Sequence, residues 1–252
     1  MPEHRFHTPE PVELDVSIPA GGIEVTTSHG EESVVVVDGP EKLVEQTVVE
    51  QRGNRIVVQF RGQKPFGITI EIGGWTIGNE KLRVRAQIPH ASAAKFATAS
   101  ADMQVEGTLR ELEAKTASGD LHVRGDIEGN ATIKTVSGDA YLDRVAGDLS
   151  LNSVSGDLRV DEVNGSLQTK SVSGDVRIGN AAGREATFQS VSGDIEVGIA
   201  AGTNLDVDAN SVSGDLNSEI PLGDDVGGLE PGPTLRVRGK TVSGDFRLVR
   251  AS

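Results

Sequence analysis

The residues with the clearest capacity for chemistry are aspartates that recur in a Ser-Gly-Asp tripeptide. The tripeptide occurs seven times, with serine at 118, 137, 155, 173, 192, 213 and 243, and a variant, 100–102, precedes them. Successive copies, counted from the variant, are 18, 19, 18, 18, 19, 21 and 30 residues apart. If the copies stack, their carboxylates form one outer row, and carboxylate oxygens are ligands that calcium prefers. The row would consist of Asp120, Asp139, Asp157, Asp175, Asp194, Asp215 and Asp245.

A structural role for the same row is the alternative that we favour. Glycine permits a tight bend or a close backbone approach, and serine and aspartate side chains hydrogen-bond to turn amides. Exposed carboxylates about 5 Å apart repel by only about 0.8 kcal/mol in water, so no cation is needed to hold the row. The sequence also lacks the Gly-Gly-x-Gly-x-Asp nonapeptide of calcium-binding β-rolls. We therefore expect no metal site and keep the row only as a minor candidate for cation binding.

The elements that must position these turns are short β-strands. Val154, Leu158 and Val160 alternate with polar residues, which is typical of a strand with one buried face. Further short strands follow between the copies, for example at 147–151 and 165–169. A single unit cannot bury an apolar face alone, whereas stacked units can. The sequence therefore predicts an all-β fold, a parallel β-helix or β-solenoid with about 18–19 residues per coil.

Stacking of the coils predicts two internal columns of apolar side chains. The first consists of Leu121, Leu158, Val176, Ile195, Leu216 and Phe246. The second consists of Val136, Val154, Val172, Val191, Val212 and Val242. The composition of 31 glycines, six phenylalanines, one tyrosine and one tryptophan suits such a narrow aliphatic core.

Two regions follow from the limits of the repeat. Residues 1–97 are predicted to be a strand-rich N-terminal cap that is continuous with the solenoid. Residues 98–252 are predicted to be the solenoid, with a Gly-, Pro- and Asp-rich loop insertion near 221–233. Within the cap, 41–50 is compatible with a helix or a strand, and β-branched residues favour the strand. The predicted cap strands are 12–18, 22–27, 33–38, 55–60, 67–72 and 82–88, with a turn at 19–22.

Apolar residues in two irregular segments are candidate contacts for a protein partner. Phe66 and Trp75 flank a predicted hairpin, and Leu222, Val226 and Leu229 lie in the loop insertion. The alternative is that the aromatic pair fills the junction between cap and repeats and that the loop is inert.

The C-terminal coil is a second candidate for association. Its unit, 241–248, ends almost at the chain terminus, so its hydrogen-bonding edge has no obvious cover beyond Arg247 and Arg250. The two arginines blunt this edge, or the chain self-associates through its C-terminal coil.

Composition excludes several classes of function. The formal charge of −14 argues against nucleic acid and anionic membranes as partners, and the absence of cysteine excludes thiolate chemistry. The five histidines have no metal-ligand spacing, and no phosphate loop, nucleophile elbow or dinucleotide fingerprint occurs. We therefore expect a non-enzyme without a cofactor. A carbohydrate-active enzyme is the least favoured alternative, because few aromatic residues are present to stack on sugars.

The N-terminal residues have no apolar signal core, and no apolar run approaches the roughly 20 residues of a spanning helix. These features predict a cytoplasmic protein with no membrane insertion. An exported surface, adhesin-like or envelope-binding protein whose signal is missing from this sequence is the alternative.

The repeat resembles a known bacterial family. Units of the form T/S-V/A-S-G-D-hydrophobic, preceded by a hydrophobic strand that ends in Ile-Pro at 82–89, are similar to bacterial β-strand-repeat proteins of unknown function, often called "putative adhesins". The resemblance extends over nearly the whole chain. It implies a right-handed β-helix-like stack with a β-rich N-terminal portion, and it implies no catalytic residues. Our interpretation from the sequence is a non-catalytic, acidic scaffold or protein-interaction module.

Overall fold

The computed structural model describes residues 2–62, 81–220 and 232–251, and almost all of its regular structure is β-strand. The elements of the N-terminal region are β1 (Glu3–His7), β2 (Glu13–Ser28), β3 (Glu32–Asp38), α1 (Glu41–Glu45), β4 (Thr47–Arg52), β5 (Arg55–Phe60), β6 (Leu82–Pro89) and β7 (Ser92–Glu106). The strands that precede the Ser-Gly-Asp turns are β8 (Leu109–Lys115), β10 (Ala131–Lys134), β12 (Leu149–Asn152), β14 (Leu167–Lys170), β16 (Glu185–Gln189), β18 (Asn204–Ser211) and β20 (Thr234–Thr241). The strands that follow the turns are β9 (Leu121–Ile127), β11 (Ala140–Val145), β13 (Leu158–Val163), β15 (Val176–Ala181), β17 (Ile195–Ile199), β19 (Leu216–Ser218) and β21 (Phe246–Arg250).

Each repeat is one coil of two strands joined by the Ser-Gly-Asp turn. Strands before the turn pair in parallel with strands before the turn in the next coil, and we call this ladder the upstream sheet. Strands after the turn pair in the same way and form the downstream sheet. The predicted parallel β-solenoid is confirmed.

The coils do not stack in sequence order at the C-terminal end. The strands β20 and β21 lie between the coil of β16 and β17 and the coil of β18 and β19. The expectation that the C-terminal coil carries the open edge is therefore wrong, because both of its sides are paired. Within the described residues, the C-terminal coil therefore has no open strand edge through which a second copy could pair. The last coil of the stack is formed by β18 and β19.

The first predicted internal column is largely confirmed. Leu121, Leu158, Val176, Ile195 and Phe246 are buried, whereas Leu216 in the last coil is 47% exposed. The core is aliphatic apart from a few phenylalanines, and Phe96 and Phe188 are its largest fully buried side chains. The alternation of apolar and polar residues therefore identifies the inner face correctly along the strands.

The N-terminal region contains a second departure from sequence order. The long strand β2 lies between β7 on one side and β5 and β6 on the other, in parallel with all three. Antiparallel strands flank these, with β4 on β5, β3 on β6 and β1 on β3. The cap function of this region stays a prediction.

The predictions of individual strands and turns in the N-terminal region are partly confirmed. The strands expected at 33–38, 55–60 and 82–88 are present, and the strand expected at 67–72 lies outside the described residues. The turn expected at 19–22 is wrong, because these residues lie within the continuous strand β2, where Gly21 has a φ of +128° and a Cβ atom would lie 1.7 Å from the Leu82 carbonyl oxygen. The strand favoured for 41–50 is wrong for 41–45, which form α1, and is confirmed for 47–50, which begin β4.

Candidate interaction surface

A hydroxyl group shapes every Ser-Gly-Asp turn, and it is buried in every copy except the half-buried Ser211 of the last coil. In the coil of β12 and β13, the amide of Gly156 donates a hydrogen bond to Ser153 Oγ over 2.9 Å. A threonine or serine three residues before the glycine accepts the same bond in all seven copies, over distances of 2.8–3.1 Å. This side-chain bond closes the turn locally and takes the place of a ladder bond. The hydroxyl-bearing residue therefore points inward.

The glycine of the turn is required by a close backbone approach. A Cβ atom on Gly156 would lie 2.0 Å from the carbonyl oxygen of Gly138 in the preceding coil. The corresponding distance is 1.9–2.1 Å in the other six copies. No larger residue fits between coils at this corner.

The second predicted internal column is wrong, because its valines lie on the surface. Their exposed fractions range from 39% at Val136 to 80% at Val212. Strict alternation through the turn predicts inward valines, but the inward-pointing threonine or serine interrupts it and places the following valine outside. We call this line of exposed side chains the valine ridge. It consists, in stacking order, of Val136, Val154, Val172, Val191, Val242 and Val212.

Serine hydroxyls join the turns from coil to coil. Ser173 Oγ donates to the carbonyl oxygen of Val154 over 3.3 Å, and the amide of Ser173 donates to the same oxygen over 2.9 Å. The hydroxyl contact recurs in all seven copies at 3.2–3.4 Å. The ridge is therefore fixed to a hydrogen-bonded backbone.

The aspartates form a second intercoil ladder. The amide of Asp175 donates to Asp157 Oδ1 over 2.9 Å, and the same contact continues from Asp102 to Asp215 at 2.8–3.2 Å. We call these residues the aspartate column. The Asp215 amide holds the pKa of the Asp245 carboxyl below its usual range, with help from Arg247. The bonds support the structural interpretation of the row, and cation binding by its remaining oxygens stays a prediction. Within the described ranges, no group of three or more His, Asp or Glu side chains could hold a metal ion.

Lysines flank the ridge on its other side. Lys134, Lys170 and Lys240 are exposed at the ends of upstream strands, two residues before a ridge valine. None of the three has an ion-pair partner within the part of the chain that the structure describes. Across each turn that has a lysine, the outward side chains are therefore, in order, lysine, valine, serine and aspartate.

The downstream sheet carries an outward column beside the aspartates. His122 is exposed and stacks on Tyr141 with ring centroids 4.8 Å apart, and Arg159 and Arg177 continue the column. Glu196 follows and pairs with Arg177 over 3.3 Å. This face is polar and partly neutralised.

A shallow cavity of about 630 Å³ lies where the aspartate column meets the N-terminal strands. Gly22 occupies the position next to Asp102 in the column, and it leaves a gap because it has no side chain. Lys81, Arg83 and Arg124 line the same cavity. Its mixed charges select no single class of ligand.

A charge cluster lies on the upstream side of the N-terminal junction. Burial raises the pKa of the Asp15 carboxyl, against the opposing effect of Arg55. Hydrogen bonds from Lys115 and Lys95 lower the pKa of Glu113, and their Nζ atoms lie 2.6 and 2.9 Å from its carboxylate oxygens. The cluster forms ion pairs on an outer sheet face.

All five apolar residues predicted as partner contacts lie outside the described residues, so their role stays a prediction. These are Phe66, Trp75, Leu222, Val226 and Leu229. Alternation alone does not identify the valine ridge as a surface. The signal that could have identified it is the threonine or serine three residues before each turn glycine, which marks the turn that exposes the valine.

Comparison with known proteins identifies a family and a shared fold. A putative lipid binding protein from Parabacteroides distasonis has a TM-score of 0.60 and 16% identity, over 99% of this chain and 96% of its own. A putative adhesin from the same species has a TM-score of 0.54 and 13% identity, over 98% and 96%. The search of curated proteins found no match. No helix within the described ranges is long and apolar enough to cross a membrane. The family model described as Toastrack DUF4097 matches residues 13–248, so the chain belongs to this family, whose function is unknown.

Proposed function

We propose that this protein is a non-catalytic β-solenoid interaction module that binds a protein partner along the valine ridge. The observation that carries the proposal is the line of six exposed valines, one per coil, about 4.8 Å apart up the stack. Scattered exposed apolar residues are ordinary on protein surfaces, whereas a continuous line of them indicates a contact surface.

Burial of the ridge valines contributes part of the free energy of binding. Because each ridge valine is already partly covered, complete burial of one contributes about 1 kcal/mol, less than for a fully exposed side chain. The hydrogen-bonded turns also hold the valines in place before any partner arrives, so little ordering entropy is lost on binding.

Charge on the flanks defines the chemistry of the partner. The aspartate column presents one carboxylate per coil beside the ridge, and the unpaired lysines lie on the opposite flank in every second coil. A partner with an apolar stripe and basic side chains on one side complements this arrangement.

Site-specific photocrosslinking in cells of the native host tests this proposal. A photoreactive amino acid replaces Val172 on the ridge, and the matched control carries it at Gln168, which is exposed in the same coil. We expect discrete protein adducts from position 172 that disappear when Val154→Ser and Val191→Ser are added. Equal adduct patterns from both positions, or persistence of the adducts in the serine variant, would contradict a ridge-specific partner.

An exported, adhesin-like role is the second candidate. It is supported by the resemblance in fold to a structure described as a putative adhesin. Fractionation of native host cells with an antibody to this chain distinguishes the two: enrichment in the envelope or medium supports export, and recovery only with cytoplasmic markers opposes it.

A further inference from the structure

The last coil of the stack has an unpaired strand edge. Within the described ranges, β18 pairs only with β20, and β19 pairs only with β21. The inward side chains of Leu205, Val207 and Ala209 are only partly buried, whereas Leu235 and Val237 in the adjacent strand are buried. The apolar interior is therefore incompletely covered at this end.

The backbone of β18 has donors and acceptors that point away from the stack. The amide of Asn204 donates to the Pro233 carbonyl oxygen over 2.8 Å, toward the inner neighbour. Because successive residues of a strand alternate in direction, the amides and carbonyls of Leu205, Val207 and Ala209 point outward. A further strand would bond to these groups.

The side chains of β18 specify the charge of such a strand. Asp206 and Asp208 lie on its outer sheet face, in register with Arg236 and Arg238 of β20. Arg236 Nε lies 2.9 Å from Asp206 Oδ2, and Arg238 Nη1 lies 3.6 Å from Glu185 Oε1 in the coil on its other side. An acidic side chain of β16, basic side chains of β20 and acidic side chains of β18 thus follow one another along the stack, and the open edge is the acidic strand β18.

We propose that this edge binds an extended segment with basic residues at every second position and apolar residues between them. Such a strand adds to the sheet through the outward groups of Leu205, Val207 and Ala209, as in β-strand augmentation. Its basic side chains face Asp206 and Asp208, and its apolar side chains cover the interior. The strand β20, with the sequence TLRVRGKT, has this pattern and already binds the inner side of β18. The inference concerns a different surface from the valine ridge and does not depend on it.

The probe is a labelled synthetic peptide with the sequence of residues 232–243, and its control peptide has glutamate in place of both arginines. Fluorescence anisotropy with the full chain should show saturable one-to-one binding of the first peptide only. The variant Asp206→Asn/Asp208→Asn should weaken binding about tenfold or more, as expected for the loss of two ionic contacts. The control variant Glu128→Gln/Asp161→Asn removes the same charge from exposed positions in the middle of the stack and should bind normally.

The variant Val207→Pro tests the strand geometry. The amide that it removes points outward, so the pairing with β20 is retained, and proline is tolerated at such edge positions. Loss of peptide binding with an unchanged circular dichroism spectrum supports the proposal. Unchanged binding in Val207→Pro or in the asparagine variant overturns it.

Two other occupants are separate outcomes. A dimer in light scattering that Val207→Pro dissociates would assign the edge to a second copy, against the peptide proposal. Binding that occurs only after deletion of residues 222–230 would assign the edge to this chain's own loop and would also overturn it.

Discussion

The middle of the solenoid and its last two coils use the same turn but stack by different rules. From β10 to β17 each coil stacks on the coil that precedes it in sequence. The C-terminal coil, β20 and β21, is instead inserted between the coil of β16 and β17 and the coil of β18 and β19. The hydroxyl, glycine and aspartate contacts have nearly the same lengths in both regions. The turn therefore fixes how two coils meet, and the other side chains decide which coils meet.

Charge and packing both favour the inserted coil. In sequence order, the aligned turns would place Asp206 directly beside Glu185, and like charges in adjacent strands repel. The inserted strand places Arg236 between them, with its Nε 2.9 Å from Asp206 Oδ2. The insertion also brings Phe246 against Phe188, with ring centroids 5.8 Å apart in an edge-on contact.

The largest predicted difference between the two regions comes from the turn glycine. Gly156→Ala introduces a Cβ atom 2.0 Å from the Gly138 carbonyl oxygen in a coil that is held on both sides. We expect a loss of about 3 kcal/mol or more in the free energy of unfolding, as for overpacking that the backbone cannot relieve. Gly214→Ala creates a similar 2.1 Å contact with Gly244, but the last coil can move outward, so we expect about 1 kcal/mol. Urea denaturation of both variants checks this, and equal losses would show that the last coil is as constrained as the middle.

The turn hydroxyl should show a smaller effect of the same kind. Ser153→Ala leaves the buried Gly156 amide without its acceptor, which costs about 1–3 kcal/mol. Ser211→Ala affects a half-buried turn, where water can reach the Gly214 amide, so we expect about 1 kcal/mol or less. Thermal unfolding followed by circular dichroism compares the two, and a larger effect at Ser211 would contradict this account.

The repeat predicts local structure well and stacking order poorly. Period-two alternation identifies the strands and the buried Leu158 column, because one face of each strand must leave water. It fails for Val154, since the Ser153 hydroxyl bonds to the turn and reverses which residue points inward. Stacking order depends on contacts such as Arg236 with Asp206, which are 30 residues apart and invisible to a repeat whose turns are all alike. The position of β2 between β7 and the strands β5 and β6 likewise depends on contacts between residues far apart in the sequence, which the repeat does not reveal.

Reversal of one charge should loosen only the last coils. Arg236→Glu places three acidic groups in one column, with Glu185 and Asp206 on either side. We expect faster amide hydrogen exchange in β18, β19 and β20 and little change in β11 and β13. The double variant Arg236→Glu/Asp206→Arg restores the pair with Asp206 and should recover much of the protection in β18. Uniformly faster exchange along the whole stack would contradict a local role for this charge.

The smallest expected effect is the response of the last coil to acid. The Asp215 amide and, to a smaller extent, Arg247 lower the pKa of the Asp245 carboxyl in the folded chain. A lowered folded-state pKa means that this stabilisation is complete above the unfolded value of about 3.9 and is lost as the pH falls through the lower, folded value. Protection of the β19 amides should therefore decline below about pH 4, and Asp245→Asn, which keeps an acceptor oxygen without a titrating proton, should make that decline shallower. Hydrogen exchange between pH 3 and 5, corrected for intrinsic rates, measures this. An identical decline in wild type and Asp245→Asn would show that this carboxylate does not hold the last coil to its neighbour.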